Sequence, residues 1–251
     1  ETTLRFDDCS FMRNSAKHNG GGLYISTLKP ISISRCFFDT NEATEGSAIC
    51  IDRPNVDEEV LIDECQFGRN DASLKAAVYI STKGNLTLTE LQFAENTANG
   101  VPNLYIDHVN NQPILIKGCQ FDFKSSHEVP QVYIDSSSTA SATFDDCCFT
   151  TYEKSFDPIH IGFKAQSEGE GEVTPRFIIR SNCFEADSDS VTVEGDANLI
   201  QYQPNAVSQF NCNKCEAPNI ENTTGRNPRQ TPAPTPWPTQ TPNATETPTL
   251  P

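Results

Sequence analysis

The stretch VLIDECQFGRNDASLKAAVYIS, residues 60–81, holds two short runs of alternating apolar residues joined by a polar link. The same pattern stands before it in ISISRCFFDTNEATEGSAICID (residues 31–52) and after it in LTLTELQFAENTANGVPNLYID (residues 86–107). A further copy, ILIKGCQF with VYID, falls within residues 114–135. Copies spaced by about 28 residues indicate a repeat architecture in which each unit buries its apolar side only against its neighbours.

The first run of each copy ends in a phenylalanine, with a cysteine or, once, a leucine two positions before it. These positions form the predicted core ladder: Cys36, Phe38, Cys65, Phe67, Leu91, Phe93, Cys119 and Phe121. Apolar residues at two-residue steps predict a strand with one buried face. Because Leu91 replaces cysteine in one copy, we expect the ladder thiols to be buried and packed as small hydrophobic groups. A polar pair such as Asp63-Glu64 predicts a bend between two short strands.

The second run places one non-aliphatic residue between two aliphatic ones, as in Val78-Tyr79-Ile80, and Ile159-His160-Ile161 is predicted to be a later copy. Three short strands and three turns fit into one repeat. The sequence therefore predicts an all-β fold, a right-handed parallel β-helix of about 7–8 coils whose stacked strands lie about 4.8 Å apart. An antiparallel sandwich is the competing architecture, but it gives no reason for Cys-x-Phe to recur at one interval.

An asparagine follows the phenylalanine by three residues in the first four copies, as Asn14, Asn41, Asn70 and Asn96. We expect these residues to adopt the left-handed backbone conformation at a tight corner, with side-chain amides bonded from coil to coil. Four ordinary surface turns are the alternative. Later copies carry Lys124, Tyr152 and Asp187 at this offset, which predicts a different corner there.

These motifs resemble a known family. Phe-x-x-Asn followed by Gly-Gly-Ala-Ile is the paired signature of the polymorphic outer membrane protein (Pmp) repeat, and it is similar to FMRN…GGGLYI, FDTN…GSAICI, FGRN…KAAVYI and FAEN…NLYI in this chain. The resemblance covers roughly residues 4–135 and, more loosely, extends to about 200. It implies a pectate-lyase-like right-handed β-helix with a surface-exposed adhesin role, closest in style to Pmp-like proteins of eukaryotic parasites.

The composition separates a folded region from a tail. Residues 1–220 are predicted to form the β-helix as one domain, and residues 221–251 a disordered stalk, because threonine and proline dominate there and apolar residues almost vanish. The chain opens within a repeat at Leu4-Arg5-Phe6, so we expect further coils and a signal peptide upstream. Threonines beside prolines are also the usual acceptors of O-linked sugar on extracellular stalks.

The chain is strongly acidic, with 34 Asp and Glu against 18 Lys and Arg and a formal net charge of −16. Such a surface repels nucleic acid and anionic lipid, so neither is an expected partner. A cationic ligand, a divalent ion or a neutral glycan is electrostatically easier to bind.

The ten cysteines indicate an oxidising compartment. Cys148 and Cys183 both fall one place after the ladder position on successive coils, and we predict a disulfide between them. Cys212 and Cys215 are predicted to form a local bridge, because no second Cys or His pair completes a zinc site. Three N-glycosylation sequons are predicted at accessible positions, beginning at Asn85, Asn222 and Asn243. The alternative is that none of them is glycosylated.

Acidic residues follow the second run and are the best candidates for chemistry. Asp107 and Asp135 are predicted to stack on neighbouring coils, where they form a weak candidate site for Ca²⁺. Solvated turn carboxylates are the simpler interpretation. No basic residue recurs beside them, and nothing supplies a nucleophile with its base, so we predict no catalytic residues, no resident metal and no cofactor.

Tyrosines occupy the outward middle position of the second run on three consecutive coils, at Tyr79, Tyr105 and Tyr133, with Tyr24 and His160 further along the same column. An exposed aromatic ladder of this kind is a candidate contact surface for sugar rings or for a protein. Stacking that only stabilises the sheet, or a loop that covers the rings, is the alternative.

The sequence thus predicts a non-catalytic, adhesin-like or ligand-binding ectodomain on a glycosylated stalk, located at the cell surface. Its expected partner is a glycan or protein of a host or neighbouring cell. Any attachment to a membrane would use a segment absent from this chain. Two alternatives stay open: a pectate-lyase-like carbohydrate-active enzyme, and a structural spacer.

Overall fold

In a computed structural model, the described residues are 2–108, 112–123, 130–136, 141–151, 161–165, 177–180, 182–184, 191–195 and 200–202. The chain divides into two compact units, Glu1–Pro218 and Asn219–Pro251, and every described residue belongs to the first unit. The predicted stalk, residues 221–251, lies outside the described residues. Within the described part, no helix has the length and apolar character needed to cross a membrane.

Four parallel sheets, numbered by the order in which a coil visits them, carry all the described strands. Sheet 1 contains β1 Leu4–Asp7, β4 Ile31–Ser34, β8 Val60–Asp63, β12 Leu86–Thr89, β16 Ile114–Lys117, β19 Ala142–Asp145, β22 Phe177–Arg180 and β25 Ile200–Tyr202. Sheet 2 contains β2 Ser10–Met12, β5 Phe37–Asp39, β9 Gln66–Gly68, β13 Gln92–Ala94, β17 Gln120–Phe123, β20 Cys148–Thr151 and β23 Cys183–Phe184.

The other two sheets complete each coil. Sheet 3 is short and contains β6 Glu42–Glu45, β10 Asp71–Lys75 and β14 Thr97–Ala98. Sheet 4 contains β3 Leu23–Ile25, β7 Ile49–Arg53, β11 Val78–Thr82, β15 Leu104–His108, β18 Val132–Ser136, β21 Ile161–Ala165 and β24 Val191–Gly195. The parallel sheets form a β-solenoid of about 5 turns. The predicted count of seven to eight coils stays a prediction.

The register of the strands confirms the repeat frame that the sequence predicted. Phe38 pairs with Phe67, and Phe67 pairs with Phe93, each one coil further along. Sheet 1 shows the same stacking, since Ile33 pairs with Ile62. All these pairs are parallel, which excludes the antiparallel sandwich.

The predicted ladder occupies the centre of the solenoid. Each of its eight side chains, from Cys36 to Phe121, is at most 2% exposed. The phenylalanine rings of sheet 2 stack face to face, with centroids 5.2 Å apart for Phe38–Phe67 and 4.7 Å apart for Phe67–Phe93. Stacked rings combine large buried apolar area with a favourable ring–ring geometry, so this column is a principal source of stability.

The ladder cysteines also make hydrogen bonds at the bend between sheets 1 and 2. The Cys36 amide donates to the Cys65 sulfur (3.3 Å), and the Cys36 thiol donates to the Ser34 carbonyl (3.2 Å). At the far end Asn182 takes the ladder position, and its Oδ1 accepts from the Cys147 amide (2.7 Å). The ladder position therefore favours a side chain that is small and that also accepts a hydrogen bond from the backbone of the neighbouring coil. The replacement of cysteine by Leu91 in one copy gave no sign of this second requirement in the sequence.

The corner asparagines form the coil-to-coil amide ladder that the sequence predicted. Asn14 Nδ2 donates to Asn41 Oδ1 (2.9 Å), and Asn41 Nδ2 donates to Asn70 Oδ1 (3.0 Å). Asn70 Nδ2 donates in turn to Asn96 Oδ1 (3.0 Å). The expectation that the asparagines themselves are left-handed is wrong. The residues just before them have positive φ, between 53° and 56°: Arg13, Thr40, Arg69 and Glu95.

The ladder continues through residues that the sequence did not single out. Asn96 Nδ2 donates to Asn103 Oδ1 (3.1 Å), and Asn103 Nδ2 donates to Gln131 Oε1 (3.5 Å). Asn103 and Gln131, both fully buried, directly precede strands of sheet 4. Earlier coils have small residues at that position: Gly22, Ala48 and Ala77. The side-chain amide at the corner thus comes from the asparagine that follows sheet 2 in the early coils, and from the residue that precedes sheet 4 in the later coils.

Two other predictions need correction. Sheet 3 was missed, because a strand such as Glu42–Glu45 has only one buried apolar residue, Ala43, and so no visible alternation. The later copy of the second run was placed two residues early: Tyr133 pairs with Gly162, in strand Ile161–Ala165. His160 lies outside the described residues.

Candidate functional site

The outward face of sheet 4 carries the predicted tyrosine column. Its flanking residues, such as Val78 and Ile80, are fully buried in the core. Because successive side chains of a strand point to opposite faces, the tyrosine between them points away from the core. The register places the column in the order Tyr24, Cys50, Tyr79, Tyr105 and Tyr133.

The three consecutive tyrosines are in contact. Ring centroids of Tyr79 and Tyr105 are 5.7 Å apart, with the planes inclined by 38°. Those of Tyr105 and Tyr133 are 5.3 Å apart and inclined by 33°. The two steps of the column therefore have nearly the same geometry.

A lysine from sheet 3 lies over the first step of this column. Lys75 Nζ is 4.8 Å from the Tyr79 ring centroid and 4.9 Å from that of Tyr105, within the range of a cation–π interaction. The same ammonium group lies 3.3 Å from Glu45 Oε1. Lys75 and Glu45 pair in register after an irregularity in sheet 3, and this shifted spacing hid them from the repeat comparison.

The expectation of a uniformly exposed ladder is wrong at Tyr79, which is only 8% exposed. Tyr105 and Tyr133 are half-buried, whereas Tyr24 is 49% exposed. The lysine described above covers the Tyr79 ring. One coil earlier, a corner of the chain lies against the outer face of sheet 4 at Cys50. A Cβ on Gly46 (φ 59°) would lie 2.8 Å from Cys50 Cβ, so this corner needs glycine.

Burial and nearby carboxylates raise the pKa values of two side chains on this face, Tyr79 and Cys50. Burial, followed by the charges of Asp107 and Glu45, raises the pKa of Tyr79. Burial, followed by the charges of Asp52 and Glu45, raises the pKa of Cys50 to about 12. Carboxylates therefore surround the column, and they disfavour any further negative charge while favouring a cation.

The predicted column of acidic residues runs beside the tyrosines. Ser81 pairs with Asp107, and Asp107 pairs with Asp135. Beyond Asp135, Lys164 is the next residue in this column, a single basic position. Among the described residues no group of three or more His, Cys, Asp or Glu side chains could hold a metal ion. The pairing of Asp107 with Asp135 alone is a poor fit to Ca²⁺, which takes six to eight oxygen ligands.

The cysteines fall into two groups. The described free thiols are Cys9, Cys36, Cys50, Cys65, Cys119 and Cys147. Cys148 is disulfide-bonded, and its register partner in sheet 2 is Cys183. The side chain of Cys183 is not among those described, so the predicted pairing stays a prediction. Cys212 and Cys215 lie outside the described residues.

One of the three predicted glycosylation sites, Asn85, lies among the described residues. Asn85 is exposed immediately before strand β12, and its carbonyl accepts from the Val60 amide (2.9 Å). Its side chain faces solvent at a corner of the solenoid, a position that can carry a glycan. Asn222 and Asn243 lie outside the described residues.

Comparison of the chain with protein-family models, with curated proteins and with solved structures gives no match.

Proposed function

We propose that the chain is a non-catalytic, adhesin-like or ligand-binding ectodomain, displayed at the cell surface on a glycosylated stalk. The proposal includes a right-handed, pectate-lyase-like β-helix of seven to eight coils. Parallel crossovers within one sheet are right-handed in about 98% of cases, which supports that hand. Eight strands in sheet 1 support the coil count. The likeness to the Pmp repeat supports the surface location, and the partner is a glycan or protein of a host or neighbouring cell.

The observation that carries the proposal is the tyrosine column on the outside of sheet 4. A solenoid holds its outer side chains on a rigid frame, because each strand is hydrogen-bonded to the strands above and below it. Tyrosine contributes rigid apolar area with a polar tip, and such residues are enriched where proteins make tight contacts. Tyr105 and Tyr133 keep part of their surface accessible.

Binding to glycan arrays and to cell surfaces tests the proposal. We expect Tyr105→Ala to weaken binding by about tenfold, as for an aromatic contact residue. Met12→Ala is the matched control, because Met12 is also a large exposed hydrophobic residue, 47% exposed, but lies in sheet 2. Both variants should keep the wild-type fold, as judged by circular dichroism.

Other outcomes identify the alternatives. If the wild-type protein binds no glycan and no cell, the spacer interpretation replaces the proposal. If it turns over polygalacturonate in the presence of Ca²⁺, and Asp107→Ala abolishes that turnover, the chain is an enzyme.

A further inference from the structure

The sequence contains two Asn-Gly pairs, Asn19-Gly20 and Asn99-Gly100. An asparagine before a glycine readily loses its side-chain amide, because glycine has no side chain to keep its backbone nitrogen away from the Cγ atom of the asparagine. In a folded chain the reaction depends on whether that nitrogen is free to turn. The two pairs differ in this respect.

The fold holds the reacting groups of the first pair in place. The Gly20 amide donates to the Glu45 carbonyl of the next coil (3.0 Å), and Asn19 forms a parallel bridge with Glu45. Asn19 is also half-buried. The hydrogen bond of Gly20 must break before its nitrogen can turn towards the Asn19 side chain, so the structure protects this pair.

The second pair has no such restraint on its glycine. Asn99 is exposed and Gly100 is half-buried, in a bend that follows strand Thr97–Ala98. Within the described part of the chain, nothing accepts a hydrogen bond from the Gly100 amide. By contrast, the residue after each buried corner asparagine donates its amide to a neighbouring coil: Glu42 to Asn14, Asp71 to Asn41, and Thr97 to Asn70.

The reaction at Asn99-Gly100 needs only water. The Gly100 nitrogen gives up its proton and attacks Asn99 Cγ. The new N–Cγ bond closes a succinimide ring, while the Cγ–Nδ2 bond breaks and ammonia leaves with the proton. Water then opens the ring: cleavage of the new bond gives aspartate, and cleavage of the bond to the Asn99 backbone carbonyl carbon gives isoaspartate.

The amide that would be lost ties two coils together. Asn99 Nδ2 donates to the Ser73 carbonyl (2.8 Å). Ser73 lies where sheet 3 changes register, between Ala72 and Lys75, so a side chain supplies a hydrogen bond where the strand ladder is irregular. A carboxylate has only acceptor oxygens to turn towards this carbonyl, so the attraction becomes a repulsion.

We propose that Asn99 is a modification site, which converts spontaneously to aspartate and isoaspartate and thereby releases residues 73–75 from the next coil. This inference does not depend on the proposed ligand-binding function. Lys75, at the end of the released stretch, covers the Tyr79 ring, so the change extends to the outer face of sheet 4.

Peptide mapping of aged wild-type protein tests the modification. Folded protein is kept in mildly alkaline buffer, and mass spectrometry follows the aspartate and isoaspartate formed at both pairs. We expect conversion at Asn99 to be faster than at Asn19 by about fivefold or more, the factor that corresponds to the one hydrogen bond holding Gly20. In strong denaturant the two pairs should convert at similar rates, which provides the control.

The comparison of the two pairs decides the first half of the inference. Equal rates at Asn19 and Asn99 in the folded protein, or faster conversion at Asn19, would overturn it. So would a rate at Asn99 that the fold slows, relative to denaturant, as much as the rate at Asn19.

Hydrogen exchange tests the release that follows the modification. We expect Asn99→Asp, which carries the carboxylate of the product, to speed amide exchange of residues 73–75 by about fivefold, the effect of losing one hydrogen bond. Asn19→Asp is the control, and exchange of these amides should be the same in it as in the wild type. Unchanged exchange in Asn99→Asp would overturn the release.

Discussion

Phe67 lies between two other phenylalanine rings in the middle of sheet 2. Its centroid is 5.2 Å from that of Phe38 and 4.7 Å from that of Phe93, and its side chain is 1% exposed. Phe38, Phe93 and Phe121 are likewise each stacked between two neighbouring rings. A single substitution therefore affects three coils, because the cavity opens between them.

We expect Phe67→Ala to lower the free energy of unfolding by about 3–5 kcal/mol, the usual cost of emptying a large aromatic site. Urea denaturation measures the difference. Leu74→Ala is the control, since Leu74 is 51% exposed, and its effect should stay within about 0.5 kcal/mol. A loss below about 1 kcal/mol for Phe67→Ala would mean that the ring is not in the core.

Asn70 makes the most demanding contacts among the corner asparagines. Its Oδ1 accepts from both the backbone and the side-chain amides of Asn41, at 3.0 Å each. Its Nδ2 donates to the Phe38 carbonyl (3.0 Å) and to Asn96 Oδ1 (3.0 Å). All these groups are buried, and buried polar groups that lose their partners pay the full cost of desolvation.

We expect Asn70→Ala to destabilise the protein by about 3 kcal/mol, because it leaves several buried donors and acceptors without partners. Asn14→Ala removes the exposed end of the same ladder and should cost about 1 kcal/mol or less. Equal effects of the two substitutions in thermal or urea unfolding would contradict a continuous, buried amide ladder.

At the scale of elements, strand β7 shows how sheet 4 is buried on both faces. Ile49 and Ile51 face the core, and Cys50, on the other side, is also fully buried. The corner at Gly46 covers Cys50, with Tyr24 and Tyr79 as its neighbours in the column. The outside of this sheet is therefore a partly desolvated surface, which is why the pKa of Cys50 is raised to about 12.

This raised pKa predicts a loss of stability in alkali. Above pH 9, the ordinary thiol value, the unfolded chain releases the Cys50 proton while the folded chain keeps it, so the free energy of unfolding falls up to about pH 12. Below pH 9 this contribution is fully present. Cys50→Ala should flatten the decline by up to about 1.4 kcal/mol per pH unit. Identical slopes for the two proteins, measured by urea unfolding between pH 8 and 10.5, would contradict the burial of this thiol.

The predicted disulfide belongs to strands β20 and β23, where Cys148 and Cys183 pair in register. We expect a peptide containing Cys148 linked to one containing Cys183 after digestion without reductant. The described free thiols, Cys36 and Cys65 among them, should take an alkyl label in the unfolded, unreduced protein. Mass spectrometry that finds Cys148 linked to a different cysteine would overturn the pairing.

The elements also show what could be predicted from the sequence. Sheets 1, 2 and 4 follow from apolar alternation, since residues such as Ile62, Phe67 and Ile80 must all face one core. Sheet 3 was not predictable in this way, because Glu42–Glu45 and Asp71–Lys75 are mostly polar and are placed by their neighbours rather than by their own burial.

The tyrosine column was predictable in register but not in exposure. The repeat frame places Tyr79, Tyr105 and Tyr133 above one another, which the structure shows. The covering of Tyr79 depends on Lys75, which reaches the ring from another sheet after a shift in register. Comparison of the repeats along the sequence cannot detect this contact, because Lys75 follows a register shift in sheet 3, whereas Tyr79 keeps the repeat register of sheet 4.

At the scale of the whole solenoid, stability is a sum of coils and of the interfaces between neighbours. Strand pairing, the phenylalanine column and the amide ladder all act between one coil and the next. Ion pairs also join neighbouring coils: Arg69 pairs with Asp39 (2.8 Å), and Arg180 pairs with Asp145 (3.1 Å). The outward columns that result are regular, and the proposed recognition of a partner depends on that regularity.

Parallel, in-register stacking is the central claim, and scalar couplings across backbone hydrogen bonds test it most directly. In deuterated protein labelled with ¹⁵N and ¹³C, we expect the amide nitrogen of Gln66 to couple to the carbonyl carbon of Cys36, and that of Gln92 to the carbonyl of Cys65. Couplings that instead join these segments in opposite directions, or that link residues outside the repeat register, would contradict the solenoid and the functional proposals that depend on it.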